Sequence, residues 1–395
     1  MSNIKELVFH DRPINALWRR VLDNGHDHAD RTGKGRRSVF GEQVRFDVSD
    51  FSLPLQTTRK IFTRGLIEET LWFIKGSEMA SELEEKNINI WKLWTVTDED
   101  IETFVTKLAE RQDLQTAMLA LHANGDEGQD AKVLVREYYR QLLGGKKGSI
   151  GKLYGSMWRN APQQTDTDMM PFWPDVNPDD IPSDKLSLYT KEYEEMKFFA
   201  KGQNIPTFNE YVKQRYYSTV DQLGNLIINL KKRPFSSRHV VVAWVPSHAP
   251  FEEVSPQENV LLGKSALTAC HTMFQCFVNP PLEEGGKLRL SLMMTIRSQD
   301  VAVGSNYNMV QYSLLLMMLA QVCDMEPYEY IHSVGDCHFY LNHIEQAREQ
   351  IEREPFPSAY VRINPEVKDL FAFKPEDFEI IGYEHHPSIS YEVAK

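Results

Sequence analysis

The stretch from Ala269 to His343 constrains this chain most. Two short strand-like apolar runs, 273–278 and 288–296, precede an apolar helix-like run at 309–322, and polar residues gather at the ends of all three. Cys270 and His271 enter the first run, and Arg297-Ser298-Gln299-Asp300 closes the second. Gly304 to Asn308 leads into the helix, and Gly335-Asp336-Cys337-His338-Phe339-Tyr340 follows it. A thiol, an arginine, an amide, a histidine and a tyrosine at the ends of adjacent elements suit one small polar ligand.

Each residue also has a plainer reading. A free cysteine is often a small buried hydrophobe, which suits Cys276, Cys323 and Cys337 inside their apolar runs. Cys270 differs, because a histidine follows it and an Arg-Ser pair closes the next run. A nearby cation stabilises thiolate over thiol, and thiolate is the nucleophile. Asp30-Arg31-Thr32-Gly33-Lys34-Gly35 is either a solvated turn or a phosphate-holding loop, since glycines admit backbone N–H groups and arginine offers a bidentate fork. Glu68 and Glu69 sit in a helical pattern over 62–75. They form either its polar face or, turned inward, a desolvated acid suited to proton transfer.

Taken together, Cys270-His271, Gln275, Arg297-Ser298, Asp300, Gly304, Asn308, Tyr312, Gly335-Asp336, His338, Tyr340 and Asn342-His343 resemble the thymidylate synthase family. That family also holds the phage pyrimidine-nucleotide hydroxymethylases. The resemblance implies an α+β fold, with a bent mixed β-sheet flanked by helices and a homodimer formed sheet to sheet. It implies a Cys270 nucleophile that adds to C6 of a pyrimidine, with Arg297, His271 and Tyr154 around it and Glu69 shuttling protons. Ser298, Gln275, Arg31 and a partner subunit's Arg238 would hold the nucleotide, and His338, Tyr340 and Tyr383 its sugar. Asn308 can both donate to a carbonyl and accept from a ring N–H, which suits uracil and so dUMP over dCMP. Trp91, Trp94, Asp300 and Gly304 would face the one-carbon donor, 5,10-methylenetetrahydrofolate.

The departures from the family pattern bear on the product. Ala269 precedes the cysteine where proline is usual, Ile296 replaces a glutamine, and Ser305-Asn306-Tyr307 replaces Leu-Pro-Phe. The closing tail carries Glu392 for proline and Lys395 for an apolar residue, which should seal the site against water less well. The expected product is therefore 5-hydroxymethyl-dUMP with tetrahydrofolate. The alternatives are a thymidylate synthase giving dTMP and dihydrofolate, a dCMP hydroxymethylase, or a silent homologue that binds nucleotide or RNA. Ser237 stands where the family has the first of two adjacent arginines, leaving Arg238 alone with Arg59 or Lys60 as substitutes.

Chain-wide properties agree with a soluble enzyme of one catalytic domain, decorated by insertions at about 95–147 and 160–209. Helices are expected over 13–24, 130–143, 185–200 and 220–231, and strands over 38–48 and 239–245. Charged residues make up 25% and the net charge is −12, which argues against general affinity for nucleic-acid backbone while leaving room for a small anionic substrate. Four cysteines without paired spacing point to a reducing compartment, the cytoplasm (a host's, if phage-encoded), with no disulfide framework and no metal site. No run of 18 or more apolar residues exists, so no membrane span or secretion is expected.

Overall fold

The computed structural model is described for residues 7–30, 33–121, 130–162, 175–199 and 205–393. In chain order its helices are α1 (Asp11–Asn24), α2 (Thr63–Lys75), α3 (Ser81–Glu84), α4 (Asp98–Ala109), α5 (Gln112–Leu121), α6 (Ala131–Leu143), α7 (Gly155–Asn160), α8 (Ser183–Phe199), α9 (Phe208–Ser218), α10 (Gln222–Lys232), α11 (Pro256–Leu261), α12 (Gly304–Val322) and α13 (Ile344–Ile351). Its strands are β1 (His26–His28), β2 (Arg36–Asp47), β3 (Ala161–Pro162), β4 (Thr219–Val220), β5 (Val240–Val242), β6 (His271–Asn279), β7 (Arg289–Asp300), β8 (Glu326–Tyr340), β9 (Tyr360–Ile363) and β10 (Phe378–Ile381). Two compact units result. One comprises 1–75, 157–243 and 270–395; the other comprises 76–156 and 244–269.

The first unit holds a six-stranded sheet in the order β1-β2-β8-β7-β6-β5, antiparallel except for the parallel β7–β8 pair, so the architecture is the expected α+β with a mixed sheet. One sheet face is apolar: Val44 and Phe46, Leu290, Leu292 and Met294, Tyr330 and Val334, and Phe274 and Cys276 are all buried. α12 connects the parallel pair, as a parallel crossover requires. It is apolar all round and buried from Met309 to Ala320, so hydrophobicity rather than amphipathic patterning dictates its central place. The opposite face carries exposed Gln43 and Arg45, half-buried Met273 and Gln275, and Phe277 at 63% exposure.

β7 and β8 approach closely at the functional end. A Cβ on Gly335 would meet the Arg297 backbone oxygen at 2.7 Å, so only glycine permits this pairing beside Arg297. β8 was not among the expected strands, and β7 runs four residues beyond its expected end to Asp300. The strand expected over 239–245 is confined to Val240–Val242.

The second unit carries α3 to α6 and α11. Within the first insertion, Ala109, Met118, Leu134 and Val135 form a small core of their own. In the first unit, Ile181 and Tyr189 of the second insertion form a small core with Val212 of α9. No helix among the described residues is long and apolar enough to cross a membrane.

Candidate active site

Cys270 immediately precedes β6, and a register shift between His271 and Met273 sets the two first residues of that strand apart from the regular ladder. The backbone N–H of Arg297 donates to the Cys270 carbonyl (2.9 Å), which pins the thiol beside the end of β7. The Arg297 Nη2 lies 3.9 Å from Cys270 Sγ. A guanidinium at this distance favours the thiolate. Cys270 is half-buried, while Cys276, Cys323 and Cys337 are buried, and burial pushes all three of those thiols up, Cys323 to about 11. Exposure, cation and geometry thus single out one sulfur.

Behind the thiol, His271 is fully enclosed. Burial holds its pKa down at about 3 against the opposing effect of its hydrogen bond with Asn308, so the ring is neutral. Its Nδ1 lies 3.2 Å from the Tyr312 hydroxyl. Asn308 and Tyr312 are one helical turn apart on α12. Gln311 on the same helix donates through Nε2 to the Glu69 carboxylate of α2 (2.7 Å), and Glu69 is buried. The inward alternative for Glu69 is therefore the observed one. Gln311 escaped the sequence reading, although a polar residue three positions after Asn308 in an apolar helix is a legible signal.

The far end of β7 builds a second group. Asp300 Oδ1 accepts from the backbone N–H of Ala302 (2.9 Å) and Val303 (3.3 Å), shaping the turn into α12, and lies 3.8 Å from His343 Nδ1. Asp300 is in register with His338, and Ser298 with Asp336. Ser298 donates to Asp336 Oδ2 at 3.4 Å, Arg36 Nη2 approaches the same oxygen at 3.2 Å, and His338 Nδ1 lies 3.4 Å from its neighbour. Burial raises the Asp336 carboxyl, but the bond and charge of His338, the Ser38 hydroxyl and the Arg36 charge outweigh it and hold it at about 2. His338, Tyr340 and His343 then stack edge to face at 5.4 and 5.7 Å.

Other expected residues lie differently. Tyr383 donates its hydroxyl to the Gln56 carbonyl (2.9 Å) and accepts from the Ile61 N–H (2.9 Å), so this phenol organises the 56–61 loop. That loop aims Arg59 inward, where its Nη2 donates to the Ala302 carbonyl (2.5 Å) and its guanidinium lies over Tyr391. Gln275 is half-buried mid-strand on the open sheet face, and Arg238 is exposed just before the edge strand β5. Arg31 and Lys395 lie outside the described residues. Trp91, Trp94 and Tyr154 belong to the second unit, where Trp91 lies 5.8 Å from Trp94 and 5.9 Å from Tyr154. Tyr154 has φ +43°, a left-handed conformation that costs a bulky residue on the order of 1–2 kcal/mol.

A half-exposed thiol under a guanidinium, a buried carboxylate one helix away and an amide fixed by a neutral histidine form a covalent-catalysis constellation. The family model for thymidylate synthase matches residues 14–395. The chain belongs to the thymidylate synthase family. The match runs through both insertions, and the mixed sheet with its flanking helices is consistent with the family's fold. The family's chemistry is folate-dependent transfer of a one-carbon unit to dUMP, so this is a transferase of nucleotide biosynthesis.

The buried histidines of this unit give a pH test. His271, His332 and His10 are pushed by burial to about 3, 3 and 4, so all are neutral when folded. In the unfolded chain each takes a proton near pH 6.5. The folded-state values are lower, so their stabilising contribution is complete above 6.5 and is lost as pH falls toward 4. Each unit of separation is about 1.4 kcal/mol. Urea midpoints should fall steeply across pH 6.5 to 4, and His10→Gln should flatten that slope while keeping the Ser52 contact at 2.8 Å within reach.

Proposed function

We propose that the protein transfers the one-carbon unit of 5,10-methylenetetrahydrofolate to C5 of dUMP and completes the reaction with water, giving 5-hydroxymethyl-dUMP and tetrahydrofolate. Cys270 thiolate adds to C6 of the uracil, forming a C–S bond and moving the ring electron pair to an enolate. C5 then attacks the one-carbon unit, which the folate supplies at the oxidation level of formaldehyde. Loss of the C5 proton frees the folate and leaves an exocyclic methylene. Water adds there as the Cys270 sulfur departs. Glu69, steadied by Gln311, handles protons through water.

In this reading Arg297 serves twice, beside the thiol and toward the phosphate. Ser298, Arg31 and Gln275 join it, with Arg238 acting in a partner subunit's site. The open face of the sheet, with Phe277 exposed, supports a sheet-to-sheet homodimer. Asn308 reads uracil, while His338 and Tyr340 hold the sugar hydroxyl. Asp300 and Gly304 are assigned to the folate, as are Trp91 and Trp94 of the second unit. Tyr154 keeps its assignment beside the reacting ring.

The observation that carries covalent catalysis is the pairing of Arg297 with the one half-exposed cysteine. For the water outcome, support comes from Tyr307. Where the family pattern has phenylalanine, this chain places a largely buried phenol under the electrostatic influence of Glu69 and Arg59. A hydroxyl there can hold a water that a phenylalanine cannot.

A methyl product has an observation of its own in favour. Tyr391 is buried and donates to Gln350 (3.0 Å), and the Glu392 carboxylate is held by Lys34 (2.6 Å) and Asn342 (3.2 Å), so the tail is tethered up to that point. The test is direct. Protein, dUMP and methylenetetrahydrofolate are mixed and the nucleotide is identified by mass, with a parallel run on dCMP. Dihydrofolate rising in step with dTMP would overturn the water reading, and preferred turnover of dCMP the base assignment. Tyr307→Phe should raise the dTMP share about fivefold, the worth of one hydrogen bond. An unchanged product ratio removes Tyr307 from the account.

A further inference from the structure

We propose that a cleft formed by α8, β4 and the start of α10 binds the base of a free, uncharged nucleoside. None of its lining residues belongs to the Cys270 constellation. The cavity holds about 220 Å³ and is lined by Lys185, Tyr189, Tyr216, Val220, Asp221 and Asn225, among others. At roughly 30 Å³ per water, that is room for a ring with its sugar rather than for a few solvent molecules. Part of the lining comes from the 160–209 insertion.

The chemistry of the walls selects the ligand. Half-buried Tyr216 offers aromatic surface, and a base stacked on an aromatic ring gains about 1–3 kcal/mol whatever its identity. Asn225 presents its amide NH₂ as donor, and its Oδ1, which accepts from the Tyr216 hydroxyl only at a long 3.5 Å, keeps a second lone pair for a base edge. Among the described residues β4 pairs only with β3, in a two-stranded ribbon, so one edge of Thr219–Val220 has no strand beside it there. The cations already have hydrogen-bond partners. Arg159 Nε donates to Asp221 (2.9 Å) and its Nη2 to Asp184 (2.7 Å), while Lys185 Nζ donates to Asn160 Oδ1 (2.5 Å). A phosphate would have to break these pairs, whereas a neutral base would not. The cleft is also preorganised, because Asp221 caps α10 through the Gly224 N–H (2.9 Å) and Arg159 is anchored to the Ile74 carbonyl (3.2 Å).

The test titrates thymidine, deoxyuridine, adenosine and guanosine into the full-length protein, by calorimetry and ligand-observed NMR. Wild type should bind at least one of them saturably. Asn225→Leu and Tyr216→Ala should each weaken that binding about tenfold or more, and Arg297→Ala should leave it unchanged. Melting temperature is monitored for each variant, and Asn225→Leu serves if Tyr216→Ala destabilises the insertion. The proposal is overturned if no nucleoside binds saturably up to about 1 mM. It is equally overturned if binding survives both cleft variants, if Arg297→Ala abolishes it, or if only phosphorylated forms bind. None of these readouts needs turnover, so they stand apart from the assignment of the product.

Discussion

Cys270→Ala is expected to lower product formation by on the order of 10⁴-fold or more, with no loss of fold. C5 of uracil is a weak nucleophile, and addition of a thiolate at C6 is what makes it electron-rich. No other cysteine can substitute, since Cys276, Cys323 and Cys337 are all buried. The change removes one half-buried sulfur whose backbone position is held by the Arg297 N–H, so stability should move by no more than about 0.5 kcal/mol. dUMP should still bind, because the phosphate, base and sugar contacts proposed here involve other side chains. Cys276→Ala should show the converse, near-normal turnover in a less stable protein, since that sulfur is packed in the sheet core. Turnover surviving in Cys270→Ala would refute the covalent route. A denatured wild-type sample carrying nucleotide on a peptide other than the one containing Cys270 would do the same.

Much of this site could be read before any coordinates, and the rest could not for physical reasons. α2 and α12 announced themselves by apolar pattern, while Asn308, Tyr312 and Glu69 on them were legible through the family resemblance. β8 stayed hidden because polar residues such as His332, Ser333, Asp336 and His338 interrupt its apolar run. They are tolerated there because each finds a partner or lies on the open face. His332, for instance, sits between the Tyr330 hydroxyl (2.7 Å) and Gln299 Oε1 (2.8 Å). The grouping of Arg36, Ser298 and Asp336 could not be seen in one dimension at all. It exists because the order β2-β8-β7 places residues from three distant segments on neighbouring strands. Tyr383, read from the family motif as a sugar contact, also fixes the 56–61 backbone through its hydroxyl, a structural role that the motif did not announce. Helical periodicity in the second insertion was legible, but not that α8 would line a cleft together with β4 and α10.

Arg159→Met is expected to destabilise the first unit by about 3–5 kcal/mol, the largest stability effect of any single change considered for this chain. Arg159 is 1% exposed and joins four elements at once: Asp221 before α10, Asp184 on α8, the Ile74 carbonyl on α2, and the face of Phe371 at 3.7 Å. Methionine keeps the apolar stem but strands Asp221, whose side chain is only 11% exposed, and leaves Asp184, which is more exposed and costs less. Burial already raises the Asp221 carboxyl, with Arg159 the main influence opposing it. Without the guanidinium it rises further, so the variant takes up a proton on folding at a pH where the unfolded chain has none. A raised folded-state value means that the penalty is full at neutral pH and shrinks as pH falls. The gap between wild-type and variant denaturant midpoints should therefore narrow on acidification. Adding Asp221→Asn should recover part of the loss, because asparagine can still cap α10 at the Gly224 N–H while carrying no charge. A gap that stays constant from pH 7 to 5, or a double variant no better than the single one, would show that the stranded carboxylate is not the source of the cost.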